Sequence, residues 1–362
     1  MTGKRNLRYG YTTGACAAAA AKGAAQMLVN HTPVSEVSID LPTGVNATFQ
    51  LHGQSLSVNE ASCFVIKDAG DDPDVTNGAE LHAMVSLTQV ESEQSSIRIR
   101  GGIGIGKVTK PGLAVAPGEC AINPVPRRMI TEAVLSVFST LNSHNLRFKI
   151  NVIISIPDGE VRAKRTLNSR LGIMGGLSIL GATGIVRPIS ARAWTDTIDA
   201  ALDVAKACGS ENVVLSTGRA SEMAAQRHLA TLPEEAFIMM GDHVAYALRA
   251  CQQRSFDRPI IACQFAKLLK IACGYENTHA VASELDLKTL LIWGARHNLP
   301  GKLLDLISSA NTAREIIIAS NFDPILMELV CCHARQAALD HVPGIAPLFL
   351  AADYNGAIVY RS

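Results

Sequence analysis

Between Arg165 and Ser190 the chain reads R-T-L-N-S-R-L-G-I-M-G-G-L-S-I-L-G-A-T-G-I-V-R-P-I-S, and its five glycines restrict what this part can fold into. A packed helix or strand gains nothing from glycine, so such a run marks special backbone geometry or close approach to another chain segment or a ligand. The intervening Ile, Leu and Met supply an apolar face, and Arg165, Arg170 and Arg187 place charge at its edges. From Arg127 to Arg192 there are ten Lys/Arg (127, 128, 147, 149, 162, 164, 165, 170, 187, 192) against three acids (Glu132, Asp158, Glu160), a local +7 in a chain of net charge +1. Two readings stay open: a structural crossover with solvated arginines, or a polyanion site with an apolar floor.

With 362 residues the chain is long enough for about two domains with substantial cores. Hydrophobic residues at 48% and charged ones at 18% exclude wholesale disorder. The near-zero net charge argues against a general nucleic-acid binder, which needs a basic surplus. Lys4, Arg5 and Arg8 ahead of A-C-A-A-A-A-A imitate a signal peptide, but Tyr9 to Gly14 is polar where an apolar core belongs. No apolar run reaches the roughly 18 residues of a membrane helix, so the expectation is a soluble, cytoplasmic protein with neither nucleic-acid nor membrane partner. The oligomeric state is not legible. Nine scattered cysteines without a C-x-x-C pair predict neither disulfides nor a cysteine zinc site.

Thr12 or Thr13 can cap an Ala-rich helix running to about Asn30, whose small side chains let it lie close against a sheet. Segments Glu36–Leu41, Ala47–Leu51, Ser62–Lys67, Met84–Val90 and Ser96–Arg100 carry β-branched residues, partial alternation and turns between them, predicting an antiparallel or mixed sheet. Pro124–Leu141 has helical spacing and Phe148–Ile156 reads as a buried strand. After Trp194 the pattern changes. Helices are predicted over Ile198–Cys208, Ser221–Leu229, Val244–Gln253 and Ala266–Cys273, alternating with strands over Asn212–Ser216, Phe237–Met240 and Pro259–Cys263. Further helices follow to about Leu339, and Phe349–Asp353, an Asn355-Gly356 turn and Ala357–Tyr360 make a hairpin. Residues 1–190 are thus expected to form an α+β domain and residues 191–362 an α/β domain with a short parallel sheet, whose ligand crevice lies at the carboxyl ends of the strands.

Three motifs carry candidate chemistry. G-G-I-G-I-G-K (101–107) satisfies the first seven positions of a phosphate-binding loop, but Val108 stands where a Ser/Thr hydroxyl is needed and Pro111 interrupts the helix that should follow. K-D-A-G-D-D-P-D-V-T-N-G (67–78) gathers Asp68, Asp71, Asp72 and Asp74 without the spacing of a calcium loop. It is either an acidic loop with Asx turns or a set of carboxylates for proton transfer or for a cationic ligand. Asp242-His243 and Asn277-Thr278-His279 follow predicted elements with no metal-ligand spacing. A thiol nucleophile built on Cys16 or Cys263 has no spacing that selects it.

The chain resembles the CbiD family, the cobalt-precorrin-5B C1-methyltransferases of anaerobic cobalamin biosynthesis. The matching blocks are Y-T-T-G-A-C-A-A-A-A-A-K (11–22), residues 67–78, G-G-I-G-I-G-K-V-T-K-P-G-L (101–113), A-I-N-P-V-P-R-R-M-I (121–130) and residues 165–190, with K-L-L-K-I-A-C-G and N-T-H beyond them. Ala15, Ala182 and Ala280 depart from that pattern. The resemblance implies a first domain similar to a permuted ribosomal S5 domain 2 and a second domain of α/β type. It also implies methylation of C1 of cobalt-precorrin-5B by S-adenosylmethionine (SAM), giving cobalt-precorrin-6A on the way to adenosylcobalamin.

A corrinoid precursor is a broad, partly apolar macrocycle rimmed with carboxylates, which arginines pair bidentately. On this reading Arg127, Arg128, Arg165, Arg170 and Arg187 hold substrate carboxylates. Asp68, Asp71, Asp72 and Asp74 are the catalytic candidates. SAM is expected on Gly102, Gly104 and Gly106, or on Thr217, Gly218, Gly241 and Asp242. No protein-bound metal is expected, since the cobalt belongs to the substrate. A non-catalytic tetrapyrrole carrier and a nucleotide-dependent enzyme built on Gly101–Lys107 are the alternatives.

Overall fold

A computed structural model describes residues 7–89, 96–139, 148–188 and 190–362. The expected ends of a strand at Val90 and of a helix at Leu141 lie outside the described residues. The chain divides into two compact units, Met1–Ser190 and Ala191–Ser362.

The first unit runs β1 (Gly10–Tyr11), α1 (Thr13–Asn30), β2 (Glu36–Asp40), β3 (Asn46–Gln50), β4 (His52–Leu56), β5 (Glu60–Ile66), β6 (Glu80–Gln89), β7 (Ser96–Gly101), β8 (Lys107–Val108), α2 (Pro124–Phe138), β9 (Phe148–Ser155), α3 (Gly159–Ala163), β10 (Ile173–Met174) and β11 (Ile185–Val186). Its main sheet has the order β4-β5-β6-β9-β7 and is mixed, because β7 pairs parallel to β9 while the other pairs are antiparallel. Alternation assigns the faces: Cys63, Val65, Leu81, Ala83, Val85, Val152 and Ile154 are buried against α1 and α2. Helix α1 starts where the Thr12 side chain accepts the Ala15 N–H at 3.2 Å, a direct cap. Its alanines are buried nearly all the way round, so it packs closely on α2, β5 and β6 at once. Strand β4 escapes sequence reading because H-G-Q-S-L is a polar edge strand with no alternation.

The second unit comprises α4 (Ala191–Ala207), β12 (Val214–Ser216), α5 (Arg219–His228), β13 (Phe237–Met239), α6 (Val244–Gln253), β14 (Ile260–Gln264), α7 (Phe265–Ala272), α8 (Leu287–Arg296), α9 (Gly301–Ser309), α10 (Ala313–Ala319), α11 (Pro324–His341), β15 (Leu348–Ala352) and β16 (Ile358–Arg361). The sheet order is β13-β12-β14-β15-β16, with four parallel strands and β16 antiparallel at the edge. Strand order therefore reverses between β12 and β14, which is where a doubly wound sheet opens its crevice.

Candidate functional site

In the first unit β5, β7 and β9 all run the same way and end together, at the edge where β6 begins. Chain direction thus brings out side by side the acidic loop 67–78 after β5, the glycine loop 102–106 after β7, and the turn into α3 after β9. The segment 165–190 threads among them. Leu177 N–H donates to the Gly104 carbonyl at 2.9 Å, Gly106 N–H to the Leu177 carbonyl at 2.8 Å, Ile179 N–H to the Ala121 carbonyl at 2.8 Å and Gly14 N–H to the Leu180 carbonyl at 3.0 Å. Three glycines meet where these segments cross. A side chain on Gly104 would run into the Ile156 carbonyl oxygen, and one on Gly159 or Gly176 into the Gly104 carbonyl. Gly102 and Gly106 are likewise walled in, by Ser155 and by Ile173 and Gly176. Gly102, Ile105, Gly106 and Val108 N–H groups all donate to protein carbonyls, so these four amides are not turned toward a phosphate.

Strand β1 joins the two motifs that the sequence left apart. One edge pairs with β11 (Gly10↔Val186, Tyr11↔Ile185). On the other side Tyr11 N–H donates to the Asp68 carbonyl at 2.8 Å, and Asp71 N–H to the Arg8 carbonyl at 2.9 Å. The acidic loop and the end of the glycine-rich segment are neighbours across a two-residue strand.

The four aspartates have different tasks. The Asp68 carboxylate pairs with the Arg8 guanidinium and accepts the Gly70 N–H at 2.8 Å. The Arg8 hydrogen bond holds its pKa below the usual carboxylate range, while half of the side chain stays exposed. Asp71 accepts the Arg8 N–H at 2.7 Å. Asp74 pairs at 2.6 Å with Lys67, whose side chain is 1% exposed, and it also accepts the Thr76 N–H and hydroxyl, each at 2.7 Å. Burial pushes the Asp74 pKa up, but Lys67 and Thr76 more than offset it and leave it lowered. Asp72, half-buried, donates its own N–H to the Ala69 carbonyl at 3.4 Å. Arg162 clamps the loop from α3, donating to the Val75 and Asn77 carbonyls at 2.6 and 2.9 Å and to Asp158 at 2.7 Å. Arg8, Lys67 and Arg162 were not among the expected site residues, although the K-D adjacency at 67–68 was a visible signal.

The five candidate arginines are spread over the unit. Arg127 lies on α2 with a guanidinium nitrogen 3.8 Å from Glu119. Arg128 is exposed, 3.9 Å from Glu132. Arg165 and Arg187 are exposed, Arg165 just after the Arg162 clamp and Arg187 just after β11. Arg170 is half-buried in the turn before Gly172.

In the second unit the expected strand-end residues separate into two kinds. Asp242 is part of an internal network: it accepts from Lys267 and from the Thr278 hydroxyl at 2.7 Å, while Lys267 and Lys270 donate to the Thr278 carbonyl at 2.9 and 3.2 Å. Gly241 packs under the Trp194 ring. Gly218, following the half-buried Thr217, instead opens outward at the reversal point. Helix α5 has no side-chain cap at Gly218, and nothing lies within 4 Å of where a Gly218 side chain would stand. Beneath them the Ser216 hydroxyl is buried without a hydrogen-bond partner. Burial pushes the Cys16 thiol up to about 12 and raises that of Cys263, which is the opposite of a nucleophile's environment. Among the described residues no group of three or more His, Cys, Asp or Glu could hold a metal ion, and no helix is long and apolar enough to cross a membrane.

The CbiD family model matches residues 1–188, and the model of the CbiD C-terminal domain matches residues 277–362. The cobalt-precorrin-5B C(1)-methyltransferase of Pelobacter propionicus is 57% identical over 98% of this chain and 96% of its own. That of Geobacter sulfurreducens is 55% identical over 98% and 99%. A crystal structure of cobalamin biosynthesis protein (cbiD) from Archaeoglobus fulgidus is 29% identical and covers 72% of this chain and 78% of that one, with a TM-score of 0.39. Matched by the family model over more than half its length and by curated relatives along nearly all of it, the chain belongs to the CbiD family.

Proposed function

We infer that this chain methylates C1 of cobalt-precorrin-5B with SAM as donor, giving cobalt-precorrin-6A in the anaerobic route to adenosylcobalamin. The observation that carries this is relatedness along the whole chain: six relatives 53–57% identical bear the name of that methyltransferase. SAM supplies an electrophilic methyl; the C1–methyl bond forms as the sulfur–methyl bond breaks, its electron pair stays on sulfur, and S-adenosylhomocysteine leaves. The protein's share is alignment and exclusion of water.

Of the two places expected for SAM, the strand ends of the second unit fit better. The glycines at 102, 104 and 106 are filled in by the chain's own atoms, whereas Gly218, next to Thr217, borders open space at the sheet's reversal point. Asp242, held by Lys267 and Thr278, positions the neighbouring turn. In the first unit the lowered pKa of Asp68 favours attraction of positive charge over acceptance of a proton. Asp71, Asp72 and Asp74 shape its loop. Arg165, Arg170 and Arg187 meet substrate carboxylates from the glycine-rich segment, whereas Arg127 and Arg128 lie on α2 beside Glu119 and Glu132. Anaerobic incubation with methyl-labelled SAM and a cobalt-precorrin lacking its C1 methyl is expected to give one labelled methyl per corrinoid; folded protein that gives none overturns the assignment.

A further inference from the structure

The main sheet of the first unit has a second face, turned away from α1 and α2, and its composition is unusual for a solvated one. Register places Phe64 opposite His82 in one row, and Met84 opposite Ile153 and Ile153 opposite Arg100 in the next, with Arg98 further along β7. The antiparallel rule for such a face is polar residues outward. Here an aromatic and apolar strip runs between polar neighbours: Phe64 stacks on His82 with centroids 4.5 Å apart at 24°, Met84 and Ile153 are half-buried beside them, and Ser62, Ser86, Asn151 and Ser155 flank the strip on the same face. The apolar surface continues past the strand ends to Ile66, 49% exposed, and Ile103, 74% exposed. Contiguous exposed apolar surface of this kind marks an interaction site.

Cationic side chains gather on β7 and the neighbouring β9, while the acids lie on β5 and on the central strand β6. Arg98 and Arg100 are exposed on the outer strand β7, and neither has an ion-pair partner among the described residues. Lys149 lies across from Ser96 on the same side. The acidic residues sit opposite: Glu60 on β5, and Glu80 on β6, which is engaged with His82 at 2.9 Å. Five strands at about 4.8 Å spacing make a floor about 19 Å wide, more than a single amino acid or nucleotide needs. A ligand that matches it is broad, flat, apolar in the middle and anionic on its rim.

We propose that this open face, with Phe64, Met84 and Ile153 as its floor and Arg98 and Arg100 as carboxylate clamps, seats the substrate's macrocycle. The proposal rests on the methyltransferase reading for the identity of that ligand. Guanidinium groups suit carboxylates because two N–H donors match two oxygens. The face also ends at the acidic loop and the Gly102 turn, so a macrocycle lying on it brings its leading edge to Asp68. A single-stranded nucleic acid also uses aromatic stacking with cations, but it needs positive charge along the strand's path. Here the cations stand on one edge only.

The test uses the full chain and the corrin polycarboxylate cobyrinic acid, followed by its visible spectrum, with methyl transfer measured in parallel. Arg98→Ala/Arg100→Ala is expected to bind about 10- to 100-fold more weakly, the scale of lost charged hydrogen bonds, and to melt with the wild type because both side chains are exposed. Phe64→Ala is expected to weaken binding without changing its salt dependence, while the double variant flattens it. The exposed Arg296→Ala on α8 serves as control. Wild-type protein that transfers methyl while the double variant binds cobyrinic acid unchanged places the seat elsewhere, overturning this proposal and leaving the activity intact. Wild-type protein without methyl transfer, whose cobyrinic acid binding still falls in the double variant, supports the seat while the activity reading fails. Preferential binding of oligouridylate, lost in the double variant, assigns the face to nucleic acid and overturns the proposal.

Discussion

Gly104 in the first unit has φ 71° and is surrounded by the Ile156 carbonyl and the backbones of Gly159 and Gly176, whereas Gly218 in the second has an extended backbone at φ −175° and open space where a side chain would stand. The same residue type answers two demands. At Gly104 it lets three backbone segments touch, so that the end of the sheet is tied to the glycine-rich segment. At Gly218 the fold itself requires no glycine, since any residue adopts that conformation. What glycine leaves there is room, at the carboxyl end of a parallel strand. The acidic loop shows a similar division, between Asp74, locked to a buried lysine, and Asp68, half-exposed beside Arg8.

The sharpest break of that comparison is Gly104→Ala. A Cβ there meets backbone that cannot swing aside and adds a left-handed φ to the strain, so a loss above about 4 kcal/mol is expected, seen as insoluble protein or a collapsed thermal transition. A normal melt would show that the crossing is loosely packed. Next, Lys67→Met leaves Asp74 buried without its counter-charge and is expected to cost about 3–5 kcal/mol at pH 7. In the wild type the Asp74 pKa is lowered on folding, so its stabilisation is complete above the unfolded value near pH 4 and fades as the pH falls through the folded value. In the variant the Thr76 hydrogen bonds remain but the Lys67 charge is gone, so that pKa lies above its wild-type position and the deficit should shrink on acidification. Melting curves from pH 7 to pH 4 that stay parallel would remove the pair from the account.

Asp68→Asn keeps size and most hydrogen bonds while removing charge; it is expected to lower kcat about 10²-fold, the scale of lost electrostatic stabilisation, with the melting temperature within a few degrees, its ion pair being exposed. Unchanged turnover would make Asp68 a loop residue like Asp74. The smallest structural effect is expected at Gly218→Ala, within about 0.5 kcal/mol in stability, with S-adenosylhomocysteine affinity reduced in calorimetry. Affinity equal to the wild type would return the donor to the glycine loop of the first unit.

Local pattern made much of this visible in advance. The β-α alternation after Trp194 matches β12 to α7 within a few residues, apart from an earlier start to α4 at Ala191, because each parallel strand is a short buried run and each helix has its own period. Thr12 as a cap and the extent of α1 were equally legible, since capping and alanine propensity act within a turn of chain. The motif blocks were enough for the family. The candidate site was only half legible: its segments could be named, but not which of their residues face one another. That Asp68 meets Arg8, that Asp74 meets Lys67, and that the acidic loop touches the glycine-rich segment through β1 depend on contacts between residues far apart in the chain. So does the open face with its arginine edge, since alternation shows that a strand has two faces but not which one the helices cover. Composition and periodicity determined the elements; burial and register, which depend on how distant segments dock, decided what each glycine, aspartate and arginine is for.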